Sequence, residues 1–148
     1  MTAEALARPL GEPTRRDWIA VLSAMLGAFM AVLDIQITNS SLKDILGSLS
    51  ATQEEGSWIS TAYLVAEIIV IPLTALLARV FGLRTYMIGT TAFFLLFSTL
   101  CGAAWNLESM IVFRMLQGFT GGALIPMAFT LVMLKLPPSK RAVGMAIF

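Results

Sequence analysis

The sequence contains no histidine, a single cysteine and few charged residues, and these absences exclude several classes of protein. With no histidine and with Cys101 alone in an apolar segment, a histidine–cysteine zinc site, a disulfide framework and a Cys-His nucleophile pair are excluded. Charged residues make up 13% of the 148 residues, about half the usual share of a soluble domain. The net charge is +1 and no basic tract is present, which argues against a nucleic-acid partner.

Hydrophobic residues are abundant instead, at 57% of the chain, and they form four long runs. A helix needs about 20 mostly apolar residues to cross a hydrocarbon core about 30 Å thick. The predicted fold is therefore an all-α integral membrane protein with spans at 18–39, 57–80, 86–104 and 108–134 and the start of a fifth near residue 141. Residues 1–16 contain two prolines and no apolar periodicity, which predicts a cytoplasmic N-terminal tail before the bundle 17–148.

The distribution of basic residues predicts the orientation of these spans. Eight of the ten lysines and arginines fall on one side: Arg8, Arg15, Arg16, Arg79, Arg84, Lys135, Lys140 and Arg141. The opposite side has only Lys43, in a predicted loop 40–56. The positive-inside rule then places the N-terminus in the cytoplasm of a multi-pass protein of the cell (inner) membrane.

Three ionisable residues interrupt the apolar runs, namely Asp34, Glu67 and Arg114. Placing a charge at the centre of a bilayer costs at least about 3 kcal/mol, so such groups usually face a partner or a hydrated cavity. We interpret the three as proton-coupling residues of a transport pathway. The alternatives are that Asp34 only satisfies a neighbouring helix and that Glu67 is a permanently protonated packing group.

Helix geometry predicts which of these groups meet. In span one, small or polar residues follow one stripe that includes Asp34, and large aliphatic residues follow another. Arg114 lies six residues into span four and Asp34 lies five residues before the end of span one, so the two share a depth and are predicted to pair. Glu67 lies ten residues into span two, about 15 Å deep and near the midplane.

Small residues and a proline follow Arg114 in the same span. Gly118 and Gly122 are four residues apart, with Gly121 beside them, a spacing that allows close helix approach. Pro126 clashes with the carbonyl four residues earlier and is predicted to kink the helix there. The cluster is either a packing surface alone or a bend point for a rocking motion.

Several motifs together resemble the Major Facilitator Superfamily. The segment 111–118, IVFRMLQG, matches the fourth-span signature l-x-x-R-x-x-q-G, and 33–42, LDIQITNSSL, looks like the first-span motif of the fourteen-span drug/proton antiporters (EmrB/QacA-like). The segment 58–67, WISTAYLVAE, is similar to the second span of the same group. In the cytoplasmic loop motif, Gly82 and Arg84 fit the family pattern, but Arg79 replaces its acidic residue, a basic replacement that EmrB-like members share.

The resemblance implies the N-terminal portion of a proton-coupled multidrug exporter of hydrophobic or amphipathic compounds, with a partial major facilitator fold. It implies no bound cofactor or metal and no enzymatic activity, a proton gradient as the energy source, and small lipophilic substrates. The implied partners are membrane lipids, the remaining spans of a parent transporter and, in a Gram-negative cell, a periplasmic adaptor and an outer-membrane channel. The chain alone is expected to be inactive. A self-contained, dimeric four-span exporter and a non-transporting membrane scaffold are the alternatives.

Overall fold

A computed structural model describes residues 13–146, and every regular element in this part of the chain is an α-helix. The helices are α1 (Arg15–Leu49), α2 (Gln53–Phe81), α3 (Leu83–Gly102), α4 (Leu107–Gly121), α5 (Leu124–Lys135) and α6 (Pro138–Ala146). Within the described residues, α1, α2, α3 and the stretch Leu107–Lys135 are long and apolar enough to cross a membrane. The predicted all-α fold with four apolar spans is confirmed.

Helix α1 is longer than predicted at both ends. Thr14 caps its first turn, where the Thr14 hydroxyl accepts a hydrogen bond from the amide of Asp17 and the Asp17 carboxylate accepts one from the amide of Thr14. This capping box places Arg15 and Arg16 in the helix rather than in the predicted tail. Residues 1–12 of that tail lie outside the described residues.

At its other end, α1 continues through most of the predicted loop 40–56, so that prediction was wrong. The loop reduces to 50–52, because α1 ends at Leu49 and α2 begins at Gln53. Apolar side chains recur there at helical spacing and pack on a core formed by Ile59, Cys101 and Met110. Those side chains are Leu42, Ile45, Leu46 and Leu49.

The fourth span is divided into two helices. Helix α4 ends at Gly121 and α5 begins at Leu124, with Gly122 and Ala123 in a turn between them. Pro126 is expected to disrupt the helix at Gly122, four residues earlier. A proline has no amide hydrogen to donate to the Gly122 carbonyl, and its ring clashes with that carbonyl. The span is therefore articulated near its middle.

Helix α6 begins at Pro138, three residues before the predicted start of the fifth span. A proline is well suited to the first helical position, because the amide hydrogen that it lacks would have no partner there. Arg141 in α6 donates hydrogen bonds to the carbonyls of Leu136 (3.1 Å) and Met133 (2.9 Å). These bonds satisfy acceptors at the end of α5 and fix the direction in which the chain leaves the fourth span.

Helix α4 packs mainly between α2 and α3, and α1 packs mainly against α5. The contacts use small residues, such as Ala24, Ala28 and Ala128, which are almost fully buried. The stripe of large side chains predicted to face lipid on α1 is exposed in the isolated chain, as expected, and comprises Leu22, Leu26, Phe29, Leu33 and Ile37. Small residues thus face the bundle and large aliphatic residues face the surrounding lipid.

One end of the bundle collects basic residues. Arg16, Arg84 and Lys135, from three different helices, border one cavity of about 730 Å³. The Lys135 ammonium also lies 3.0 Å from the Asp17 carboxylate, which joins the end of α5 to the start of α1. We call this end of the bundle the basic end. The opposite end contains the α1–α2 and α3–α4 turns.

Gly82 alone connects α2 to α3, with backbone angles of φ 80° and ψ 135°. Side chains with a Cβ are strained by about 1–3 kcal/mol in such a conformation. We expect Gly82→Ala to lower the free energy of unfolding by that amount, measured by titration with SDS in mixed micelles. Gly47→Ala is the control, because an added Cβ there meets nothing within 4 Å and its φ is not positive. Equal stability of the two variants would contradict the strain.

Candidate functional site

The site is built around an ion pair between α1 and α4. Arg114 Nη1 donates to Asp34 Oδ2 at 2.5 Å, and the two side chains are only 7% and 16% exposed. Both groups lie within apolar spans, so each removes much of the cost of burying the other. The pairing predicted from matched depth is confirmed.

Two neutral side chains complete the coordination of the pair. Gln117 Nε2 donates to Asp34 Oδ1 at 2.9 Å, and Arg114 Nη2 donates to the hydroxyl of Thr38. Thr38 in turn donates to the backbone carbonyl of Asp34 at 2.9 Å. Each carboxylate oxygen therefore has its own donor, which a buried charge requires. We call Asp34, Thr38, Arg114 and Gln117 the polar cluster.

Thr38 and Gln117 were not predicted as members of the site. The signal was present, because Thr38 lies four residues after Asp34 and Gln117 three residues after Arg114, so each shares a helix face with its charged neighbour. Gln117 is completely buried, and its side-chain oxygen accepts a weak hydrogen bond from the Cys101 thiol, with sulfur and oxygen 3.4 Å apart. Helix α3 is thereby linked to the polar cluster.

Two buried polar groups near the cluster have no hydrogen-bond partner among the described residues. They are the Nε of Arg114 and the hydroxyl of Tyr63 on α2. Tyr63 is 2% exposed and borders a small cavity together with Thr38 and Arg114. Buried polar atoms without a protein partner commonly hold water, so each marks a place where a water molecule would be stabilised.

Glu67 lies apart from the ion pair. Among residues 13–146, Arg114 forms an ion pair with Asp34 and none with Glu67. The half-buried Glu67 instead lies against Gly122, where an added Cβ would be 2.8 Å from the Glu67 Cγ. The structure therefore brings together two of the three predicted proton-coupling residues and places the third, Glu67, against Gly122.

The three glycines of the fourth span bring its backbone close to α2. A Cβ at Gly118 would overlap the carbonyl of Tyr63, and one at Gly121 would lie 2.8 Å from the Tyr63 hydroxyl. Gly122 approaches Glu67 in the same way. Gly118 and Gly122 are needed because a Cβ there would meet the facing backbone of α2, and at Gly121 it would meet the side chains of Tyr63 and Phe94. The close contact sets the position of Arg114, one turn before Gly118.

The loop motif lies far from the polar cluster, at the basic end. Arg79 and Arg84 are both exposed, and neither forms an ion pair within the described residues. Gly82 supplies the tight turn between them. The motif therefore shapes the connection between α2 and α3 and leaves two cations available at the surface.

Comparison with known proteins defines the family. Residues 24–148 match the family model of the Major Facilitator Superfamily. This chain belongs to that superfamily. It is also 41% identical over 136 residues to the colistin resistance protein EmrB of Acinetobacter baumannii, covering 92% of this chain and 27% of that protein. The match to the fatty acid resistance protein FarB of Neisseria gonorrhoeae is 41% over 131 residues, covering 88% and 26% of the two chains.

A third relative, the multidrug export protein EmrB of Escherichia coli K12, is 35% identical over 130 residues, covering 88% of this chain and 25% of that protein. The chain thus spans about a quarter of the length of these curated relatives. Four apolar helices and membership of a transporter superfamily identify a multi-pass membrane protein that corresponds to an EmrB-like N-terminal portion. The predicted family is confirmed.

Proposed function

We propose that this chain contributes the proton-binding, N-terminal portion of an exporter that moves hydrophobic or amphipathic compounds out of the cell in exchange for protons. The observation that carries the proposal is the Asp34–Arg114 ion pair, which holds a carboxylate inside apolar spans. Intramembrane carboxylates of this kind are expensive, and they commonly mark proton relays. The activity is proposed for a complete transporter, in which further helices line the pathway, and not for these 148 residues alone.

The coordination of Asp34 suggests how proton binding is converted into movement. A proton on the carboxylate removes the negative charge that faces Arg114, and the attraction between α1 and α4 weakens. Two conformations that differ in the spacing of these helices then change their relative populations. The turn at Gly122 and Ala123 offers a place where the fourth span can bend while Gly118 and Gly121 keep the first half of that span against α2.

Glu67 fits the role of a second proton site, next to that articulation. It is half-buried, lies against Gly122 and is not neutralised by Arg114. Loss or gain of its charge changes the environment of the turn between α4 and α5. In this proposal, substrate and protons compete for a largely apolar central cavity of the complete transporter.

The names of the relatives guide the choice of cargo. They concern resistance to colistin and to fatty acids and the export of multiple drugs. Colistin and fatty acids are amphipathic, so we propose cargo with an apolar body, and the proton gradient as the only source of energy. The basic end faces the cytoplasm by the positive-inside rule, and the protein lies in the inner membrane. A periplasmic adaptor and an outer-membrane channel complete the route in a Gram-negative cell.

The decisive experiment replaces Asp34 in the complete transporter. We expect Asp34→Asn to reduce proton-driven efflux of a lipophilic cation to the level of empty proteoliposomes, because the amide cannot take up the proton. Efflux is followed by dye fluorescence and proton movement by a trapped pH indicator. Asp44→Asn, on an exposed position of the same helix, is the matched control and should transport at the normal rate.

A second variant separates a loss of coupling from a loss of folding. Asp34→Asn leaves Arg114 buried without a counter-charge, so the double variant Asp34→Asn/Arg114→Gln is measured beside it. The double variant should insert and remain monodisperse, and it should still fail to couple efflux to the gradient. Proton-driven transport at a normal rate in either variant would refute the role of Asp34.

A further inference from the structure

A crevice of about 250 Å³ opens at the end of the bundle opposite the basic end. It lies between the last residues of α1, the last residues of α3 and the start of α4. Ser48 and Ser98 contribute hydroxyl groups to its wall, and Gly102 leaves one side open. A water molecule occupies about 30 Å³ of liquid, so the crevice has room for several.

Arg114 forms the inner limit of this crevice. The residue is 6% exposed, and its Nε lacks a hydrogen-bond partner within the described part of the chain. Leaving a buried charged donor unsatisfied is costly, whereas ordered water at a polar and sufficiently large site removes that cost. Cys101, in the same wall, contacts Gln117, so the crevice adjoins two members of the polar cluster.

The other approach to Arg114 is far narrower. On the α1–α2 side, Thr38, Ser60 and Tyr63 border a cavity of only about 30 Å³. The Ser60 hydroxyl donates to the side-chain oxygen of Asn39 at 3.0 Å and helps to close that side. Of these two cavities in the described part of the chain, the one between α1, α3 and α4 has room for several water molecules and the other for about one.

We propose that the α1–α3–α4 crevice is a water-filled path through which protons pass between the outer surface and Asp34. The inference rests on the proposed function and adds the route. A hydronium ion in the crevice transfers its proton to a carboxylate oxygen of Asp34, becomes water, and leaves a neutral carboxylic acid. Arg114 keeps all its protons throughout. Its otherwise unpaired Nε donates a hydrogen bond to the innermost water. When an Asp34 oxygen takes up the proton, Arg114 no longer donates a hydrogen bond to that oxygen.

The surroundings of Asp34 are consistent with this route. From α4, Arg114 and Gln117 donate hydrogen bonds to it, and from α2 Tyr63 borders a small cavity with Thr38 and Arg114, whereas Glu67 lies farther along α2, against Gly122. From α3, Cys101 reaches it only through Gln117. None of Asp34, Tyr63 and Glu67 lines the crevice, but Arg114 does and is paired with Asp34, so protons that arrive by this path reach Asp34 before the second carboxylate.

The first test narrows the path without touching the polar cluster. Gly102 lines the crevice and a Cβ added there meets no atom within 4 Å, so Gly102→Leu adds bulk at the crevice wall without a clash at the Cβ. We expect proton movement coupled to efflux to slow about tenfold, the effect expected when a buried donor loses its hydrogen-bonded water. Gly89→Leu is the control, since Gly89 lies on the same helix, is equally free of contacts and borders a different cavity.

The second test measures water in the crevice without requiring transport. In a complete transporter with its other cysteines removed, Ser98→Cys should react rapidly with a small, charged, membrane-impermeant thiol reagent added from outside. Thr99→Cys lies at the same depth on the same helix but is not part of the wall, and it should react at least about tenfold more slowly because thiolates form poorly in lipid. Adding Gly102→Leu to Ser98→Cys should slow the labelling.

The outcomes distinguish the route from the function that it serves. If Asp34→Asn abolishes coupled efflux while Gly102→Leu behaves like Gly89→Leu, the proton site stands and the crevice is not its path. If Asp34→Asn leaves coupled efflux intact, the proposed function and the route fail together. Labelling of Ser98→Cys no faster than that of Thr99→Cys overturns the water-filled crevice, whatever the transport assays show.

Discussion

Replacing Arg114 by alanine lowers the free energy of unfolding by about 3–5 kcal/mol, because the change leaves the Asp34 carboxylate buried without its charged partner. The hydrogen bond from the guanidinium to Thr38 is also lost, and two cavities lose the side chain that borders them both. The measurement is SDS titration of the protein in mixed micelles, followed by circular dichroism. Arg79→Ala removes an exposed arginine at the basic end and should change stability by less than about 0.5 kcal/mol.

A double substitution identifies the cause of that loss. Removing both charges with Asp34→Leu/Arg114→Met replaces the pair by apolar groups of similar size, a change that is often neutral in buried sites. The double variant should therefore regain most of the stability that Arg114→Ala loses, although it cannot couple transport to protons. If the double variant is as unstable as the single one, packing around Arg114 and not the stranded charge accounts for the effect.

Gly118→Ala is expected to have the second largest effect, a loss of about 3 kcal/mol or more, although it adds a single methyl group. The new Cβ would overlap the backbone carbonyl of Tyr63, and an atom of the main chain cannot rotate away as the end of a side chain can. Helices α2 and α4 must separate, which also shifts Arg114 relative to Asp34. We expect both a lower unfolding midpoint and impaired efflux from the same variant.

Gly89→Ala is the matched control for this substitution. Gly89 lies inside α3 with nothing within 4 Å of an added Cβ, and alanine is favoured over glycine in a helix by about 1 kcal/mol. The same chemical change should thus stabilise one helix and destabilise the other. A destabilisation of similar size in both variants would show that helix propensity or lipid contact, and not the α2–α4 distance, governs the response.

The elements that depend on hydrophobicity and axial depth were predictable from the sequence. A charge inside an apolar run must find a partner, and the rise of 1.5 Å per residue fixes its depth, which is sufficient to pair Asp34 with Arg114. Depth also separates Glu67, which lies nearer the midplane. Rotation about the helix axis is set by packing between helices, so the contact of Glu67 with Gly122 could not be deduced.

The errors share one cause, namely that hydropathy along a window says little about helices outside the lipid. The end of α1 is too polar to resemble a span. Its apolar residues nevertheless recur at helical spacing and pack against Ile59, Cys101 and Met110 of the neighbouring helices. The proton-coupling roles of Asp34, Glu67 and Arg114 stay predictions. The arrangement of these residues is established within the described chain, and their chemistry awaits the measurements proposed above.

The sequence separation of the ion pair has a consequence for biosynthesis. Asp34 and Arg114 are 80 residues apart, and ribosomes add about 5–20 residues per second, so the carboxylate is made about 4–16 seconds before its partner. Throughout that interval the first helix carries an unpaired acid. Until the fourth span arrives, this acid is stabilised either by a proton or by water and polar groups of the insertion machinery. Order of synthesis is thereby built into the membrane insertion of this chain.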